Sequence, residues 1–158
     1  MKKFLFVAAL LGFALFASAE DVMKISIDHF SVKVPLGWYA LYAGSPTVFQ
    51  LFSPLEADDS FQENANLMVE KLPRLYTVKE YQDASIQYLP SLFSDFQVIE
   101  RQDNYHIYHA ALNQVEIVGM QMIFIKEKEA YTITFSAKPD TFERFRDSFF
   151  AIAQSFTY

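Results

Sequence analysis

The sequence contains no cysteine. That excludes disulfides, thiol nucleophiles, zinc ribbons and iron–sulfur clusters, and it leaves no thiol to carry a lipid anchor. Glycine is nearly as scarce. Beyond the first 19 residues only Gly37, Gly44 and Gly119 occur, so a glycine-rich phosphate loop is excluded. No cluster of lysine and arginine occurs either, and the chain is acidic overall, with 13 basic against 19 acidic residues. Nucleic-acid binding requires a basic footprint that is missing here. The motifs Gly-x-Ser-x-Gly and His-Glu-x-x-His are also absent, which removes the common serine-hydrolase and zinc-protease patterns.

One long apolar run is present, at the N-terminus. Lys2 and Lys3 precede Phe4–Phe16, and Ala17-Ser18-Ala19 follows. A short positive region, a short apolar core and a small-residue cleavage site make a secretory signal peptide over residues 1–19. The run is shorter than the roughly 20 residues a membrane-spanning helix needs. Its removal leaves a single domain, 20–158, with 11 Lys and Arg against 19 Asp and Glu, a net charge of −8. No second such run exists, so no stable membrane insertion is expected after cleavage. The destination is the periplasm in a host with two membranes and the exterior otherwise.

The remaining chain alternates between two periodicities. Lys24–Pro35 holds two short strands, Ile25/Ile27 and Phe30/Val32/Val34, out of register across Asp28-His29. Val48–Phe52 and Asn66–Leu72 are further strands, each stopped at a proline. Thr77-Val-Lys-Glu80 is a capping box, and Tyr81, Ala84 and Tyr88 follow at helical spacing. A helix is therefore predicted over 78–89, closed by Pro90. Residues 96–101, 105–112, 115–125 and 130–137 are strand candidates. Asn113-Gln114 and Lys126–Glu129 form tight connections, so the last three strands make a meander. Asp140 is expected to cap a terminal helix. On that helix Phe142, Phe145, Phe149, Ile152 and Phe156 form one apolar stripe, a core face. The fold class is α+β: a central antiparallel β-sheet flanked by helices.

The order of these parts resembles the PsbP/Mog1-like superfamily, and within it small exported bacterial members of the DcrB type. The resemblance rests on Phe30-Ser-Val-Lys-Val-Pro-Leu-Gly-Trp38, Asn64-Ala-Asn-Leu-Met-Val-Glu70, Thr77-Val-Lys-Glu-Tyr81 and Tyr131-Thr-Ile-Thr-Phe-Ser136 before a Phe-rich terminal helix. It implies helices on both sides of the sheet and no enzymatic activity; no cofactor is expected. The role it implies is an accessory or assembly factor, with a protein partner in the envelope.

Few residues present themselves as sites. His106 and His109 are three apart on a predicted strand, so they point to opposite faces and cannot share one ion without a bulge. With His29, they are expected to be ordinary surface or half-buried histidines. The acidic loop Glu56-Ala-Asp-Asp-Ser60, near Glu63, lacks the spacing and glycine of a calcium loop. Trp38, Tyr39 and Tyr42 form the candidate interface, in a loop or short helix after Gly37. Of the three, Trp38 is read first as a plug at one end of the core, which makes the tyrosine pair the first place to look. The function expected is a non-enzymatic envelope binding or assembly factor acting through protein–protein contacts. The alternative is a small-ligand or lipid carrier with a pocket between sheet and helices, lined by Met120 and Met122 of a long apolar strand. An unrecognised hydrolase ranks last.

Overall fold

A computed structural model describes residues 21–158 except 56 and 58–60. The leader reading over 1–19 and most of the acidic loop lie outside the described residues. The strands are β1 (Val22–Ile27), β2 (Phe30–Pro35), β3 (Tyr39–Tyr42), β4 (Thr47–Phe52) and β5 (Asn64–Lys71). Helix α1 (Val78–Tyr88) follows, then a 3-10 turn at Leu89–Ser91. Strands β6 (Ser94–Arg101), β7 (Tyr105–Leu112), β8 (Val115–Lys126) and β9 (Glu129–Ala137) lead to α2 (Phe142–Gln154).

Seven strands form one sheet in the order β3-β4-β5-β9-β8-β7-β6, and each neighbouring pair is antiparallel. The meander is present because its connections are two residues long: Leu112 pairs with Val115 and Lys126 with Glu129. Asn113, Gln114 and Glu127 take positive φ there, as two-residue hairpin turns demand. β1 and β2 form a separate hairpin, turned at Asp28 with φ 52°.

Alternation along the central strands divides the sheet into two faces. Tyr131, Ile133, Phe135 and Ala137 of β9 point to one side with Met120 and Met122 of β8 and Leu67 of β5, and pack with α2 and β2. Phe149 and Ile152 are fully buried there, and Phe149 stacks on Phe135 at 4.7 Å. Each such side chain contributes about 2 kcal/mol of burial, which is why a helix with no side-chain cap is held. Helix α2 ends at Gln154, before the stripe does. Phe156 is nevertheless buried, because Thr157 exchanges both backbone hydrogen bonds with Ser31 of β2 (2.9 and 3.1 Å).

The opposite side carries Thr132, Thr134, Gln121, His106 and Tyr108 and is covered in part by α1. Ser85 Oγ donates to Gln121 Oε1 (2.7 Å), and Gln82 Nε2 donates to the carbonyls of Gln102 and Tyr105 (3.1 and 2.8 Å). Helices therefore lie on both sides of a central antiparallel sheet, as expected.

The capping box forms in full. Thr77 Oγ1 accepts from the Glu80 N–H (3.1 Å), and Glu80 Oε2 accepts from the Thr77 N–H (2.8 Å). Hydrogen bonding from the Thr77 backbone is the main cause holding the Glu80 carboxyl below its usual range. Thr77→Ala is expected to cost about 1 kcal/mol, read as a shift in the urea midpoint at unchanged slope.

Three local expectations need correction. Tyr39–Tyr42 is an edge strand, not a loop or short helix: Gly37 at φ 89° ends the β2 segment, and the turn at Gly44 (φ 80°) folds the chain back so that Tyr39–Tyr42 pairs with Phe49–Phe52. Asp140 does not cap α2. The N-cap is Thr141, and its hydroxyl donates to Glu63 Oε1 at 2.5 Å in place of a helix amide. The sixth strand starts at Ser94, two residues early, across an irregularity in register at Asp95 with φ 53°.

Candidate functional site

The three aromatic residues singled out in the sequence are placed apart. Trp38 is only 4% exposed. It meets Phe145 and Phe149 edge-on, each at 6.4 Å, and closes the core beneath α2. It is a core residue and not part of a surface. Tyr39 and Tyr42 are 44% and 69% exposed. Three residues apart on a strand, they point to opposite faces, so the pair does not make one patch.

Tyr39 instead joins residues that alternation puts on its own face. Its ring stacks on Phe52 of β4 at 5.3 Å, and its hydroxyl donates to Gln62 Oε1 at 3.3 Å. Leu41 is two residues on and 51% exposed. Gln50 lies opposite Leu41, and Asn66 and the exposed Met68 continue the surface on β5. Helix α1 is anchored over β8 and reaches β5 through the Tyr81 hydroxyl, which donates to Glu70 Oε2 (2.8 Å); among the described residues no helix packs over Tyr39, Leu41, Phe52 and Met68. Apolar contact area interleaved with amide side chains, and without ionised groups in β3 and β4, has the composition of a protein-binding surface. Phe52 and Met68 escaped the sequence reading because their strands read simply as core; the polar partners in alternation, Gln50 and Asn66, were the available signal.

Tyr42 faces the α2 side and borders a groove of about 370 Å³. Phe30, Val48 and Val69 line it, with Asp28, Lys71 and Glu129 among its charged residues. The groove lies between the hairpin tip and the sheet. It is not between the sheet and α2, where Phe135, Phe149, Ile152 and Met120 are all fully buried. Met120 and Met122 are thus packed core side chains.

The histidines are also dispersed. His29 sits on the hairpin turn with its ring 3.9 Å from that of Phe30. His109 is half-buried on the α2 side, with Nε2 4.0 Å from Glu116 Oε2. His106 lies on the opposite face from His109, as strand geometry requires. It is fully buried, however, and not a surface or half-buried group. Neither ring nitrogen has a hydrogen-bond partner among the described residues. Burial, aided by the nearby Arg101 charge, lowers its pKa to about 4. Beside it at 5.9 Å lies the ring of Tyr108, also fully buried. The Tyr108 hydroxyl is likewise unpartnered, and its pKa is raised by burial. The shared parity of His106, Tyr108 and Ala110 on one strand was the signal for this burial.

Glu63 turns inward. Its carboxylate is buried and accepts from Thr141 Oγ1 (2.5 Å) and Ser53 Oγ (3.3 Å), tying the β4–β5 connection to the start of α2. No group of three His, Asp or Glu side chains suited to a metal ion occurs among the described residues. No helix among them is long and apolar enough to cross a membrane.

No family model and no curated protein matches this chain. Solved structures do. The yeast (Saccharomyces cerevisiae) Ran-binding protein Mog1p is 8% identical with a TM-score of 0.67, covering 88% of this chain and 96% of its own. Cyanobacterial PsbP (CyanoP) from Synechocystis sp. PCC 6803 is 12% identical with a TM-score of 0.56, covering 93% and 98%. LpqN, involved in cell envelope biogenesis of Mycobacterium tuberculosis, is 13% identical with a TM-score of 0.53, covering 86% and 90%. At these identities the likeness is one of fold.

Proposed function

With a PsbP/Mog1-like fold as the premise, we propose that the chain is an exported, non-enzymatic binding or assembly factor of the cell envelope that acts through protein–protein contacts. The observation that carries this reading is the part of the sheet face over which no described helix packs, where Tyr39, Leu41, Phe52 and Met68 lie together at the β3 edge of the sheet. Exposed apolar surface of this kind is costly unless something covers it. The leader pattern over 1–19 supports export, and the acidic charge supports a protein partner over a nucleic acid. Two structural neighbours point the same way: one is described as Ran-binding and another as involved in envelope biogenesis. A closer kinship to the DcrB type belongs to the same proposal.

The second reading is a small-ligand carrier, and the groove at Phe30, Val48 and Val69 is the observation on its side. It ranks second because the space between sheet and α2 is filled.

A photo-reactive residue at position 68, introduced in the native host, is expected to give a defined adduct to one envelope protein, identified by mass spectrometry. The same residue at position 99 on β6 should not. Met68→Asp should weaken capture of that protein, once purified, by about tenfold with little change in melting temperature. Equal labelling from positions 68 and 99 would remove the basis for this reading.

A further inference from the structure

We propose that β3 is the seam of a two-fold symmetric dimer of this chain, with Leu41 on the axis. The proposal stands on the β3 backbone and does not depend on the binding role of the adjoining face.

An unpaired sheet edge is a template for another strand, and proteins normally blunt such edges with charge, proline or bulges. The far edge, β6, is blunted in this way. Its pairing with β7 is irregular at two places, Asp95 takes φ 53°, and Asp95, Glu100 and Arg101 lie along it. The hairpin edge β1 carries Lys24. β3 has no charge, proline or bulge, and its only blunting feature is its four-residue length. Its register against β4 is unbroken, and Pro35–Leu55 contains no Asp, Glu, Lys, Arg or His. In a chain of net charge −6, a charge-free strip lets two like-charged copies meet.

The backbone selects a register. The Ala43 N–H donates to the Val48 carbonyl (3.4 Å). Alternation then turns the amides of Tyr39 and Leu41 toward β4, and the N–H and C=O of Ala40 and Tyr42 outward. Those four groups have no partner among the described residues. A two-fold axis through Leu41, perpendicular to the sheet, sets Ala40 of each copy opposite Tyr42 of the other. Both outward pairs become hydrogen-bonded, small side chain faces large, and Leu41 meets its own copy in a non-hydrogen-bonded position. The contact is self-complementary, as a closed two-fold interface requires.

Because β3 is only four residues long, the dissociation constant is expected in the micromolar range, roughly 10 µM. Sedimentation velocity on the purified protein from about 1 to about 100 µM should show conversion of monomer to dimer. Leu41→Lys should weaken the dimer at least about tenfold, and Ile99→Lys on β6 should leave it unchanged. The cysteine-free background allows a direct check of register. Leu41→Cys should form an intermolecular disulfide under mild oxidation, since directly opposed non-hydrogen-bonded residues have Cα atoms about 4.5 Å apart. Ala40→Cys, which faces Tyr42, should not. A monomer across the whole range, a dimer indifferent to Leu41→Lys, or faster linking from position 40 than from position 41 would each overturn the proposal.

Discussion

Gly119→Ala is expected to destabilise the protein by about 3 kcal/mol, a fall of roughly 10 °C in melting temperature for a domain of this size. The cause is space and not backbone conformation. Gly119 on β8 lies directly across from Tyr108 on β7, and the tyrosine ring leans over the glycine. A Cβ at position 119 would sit 2.2 Å from Tyr108 Cζ and 2.5 Å from its hydroxyl oxygen. The ring cannot move aside freely, because Phe93 and Phe96 pack against it at 5.8 and 5.2 Å. The mechanism makes a double-mutant cycle decisive. Tyr108→Ala alone should cost about 3–5 kcal/mol by opening a cavity. With Gly119→Ala added, the two changes together should cost at least about 2 kcal/mol less than their sum, because the added methyl then occupies vacated space. Additive costs would show that the clash is not the source. Tyr108→Phe gives a third arm. It keeps the ring but removes an unpartnered buried hydroxyl, so it should be neutral or stabilising by about 1 kcal/mol.

The second large effect is on pH dependence. His106 is neutral in the fold, with its pKa lowered to about 4, against about 6.5 in the unfolded chain. Below pH 6.5 the unfolded state binds the proton and the folded state does not, so stability falls as the pH falls from about 6.5 to about 4. Over that window the loss assignable to this one group is about 3 kcal/mol. His106→Leu should remove it. At pH 7 the variant should be at least as stable as the parent, since neither ring nitrogen loses a partner. Carboxylates held low in the fold add a further loss of stability as the pH falls toward the bottom of this range. Among them Asp83 is held low by Lys79 and Arg101, and Glu100 by Tyr105 and Arg146. The measurement is therefore the difference between the two proteins' urea-derived stabilities at each pH. Parallel profiles from pH 7 to pH 4 would mean that His106 takes up its proton in the fold.

The prediction for His106 depends on a feature that strand patterning half revealed. Spacing alone was enough to separate His106 from His109 onto two faces. It could not say that the face bearing His106 lies beneath α1, so the residue read as half-exposed. The candidate interface shows the same division. Trp38, Tyr39 and Tyr42 are neighbours in sequence after Gly37, but a strand separates such neighbours. Trp38 went into the core and Tyr42 to the groove side, while Tyr39 was joined by Phe52 and Met68 from two other strands.

Local sequence was sufficient for most of the secondary structure, for the capping box at Thr77 and Glu80, and for the apolar stripe of α2. It was also sufficient for the meander, because two-residue turns leave adjacent strands no choice but to pair. These features depend on periodicity and short-range hydrogen bonding, which a single segment carries within itself. Tertiary structure alone decided that β9 sits at the centre of the sheet, that α1 covers only half of its face, and that β3 ends at an open edge without charge. Those outcomes depend on which segments remote in sequence come together, and periodicity within one strand holds no record of its neighbours.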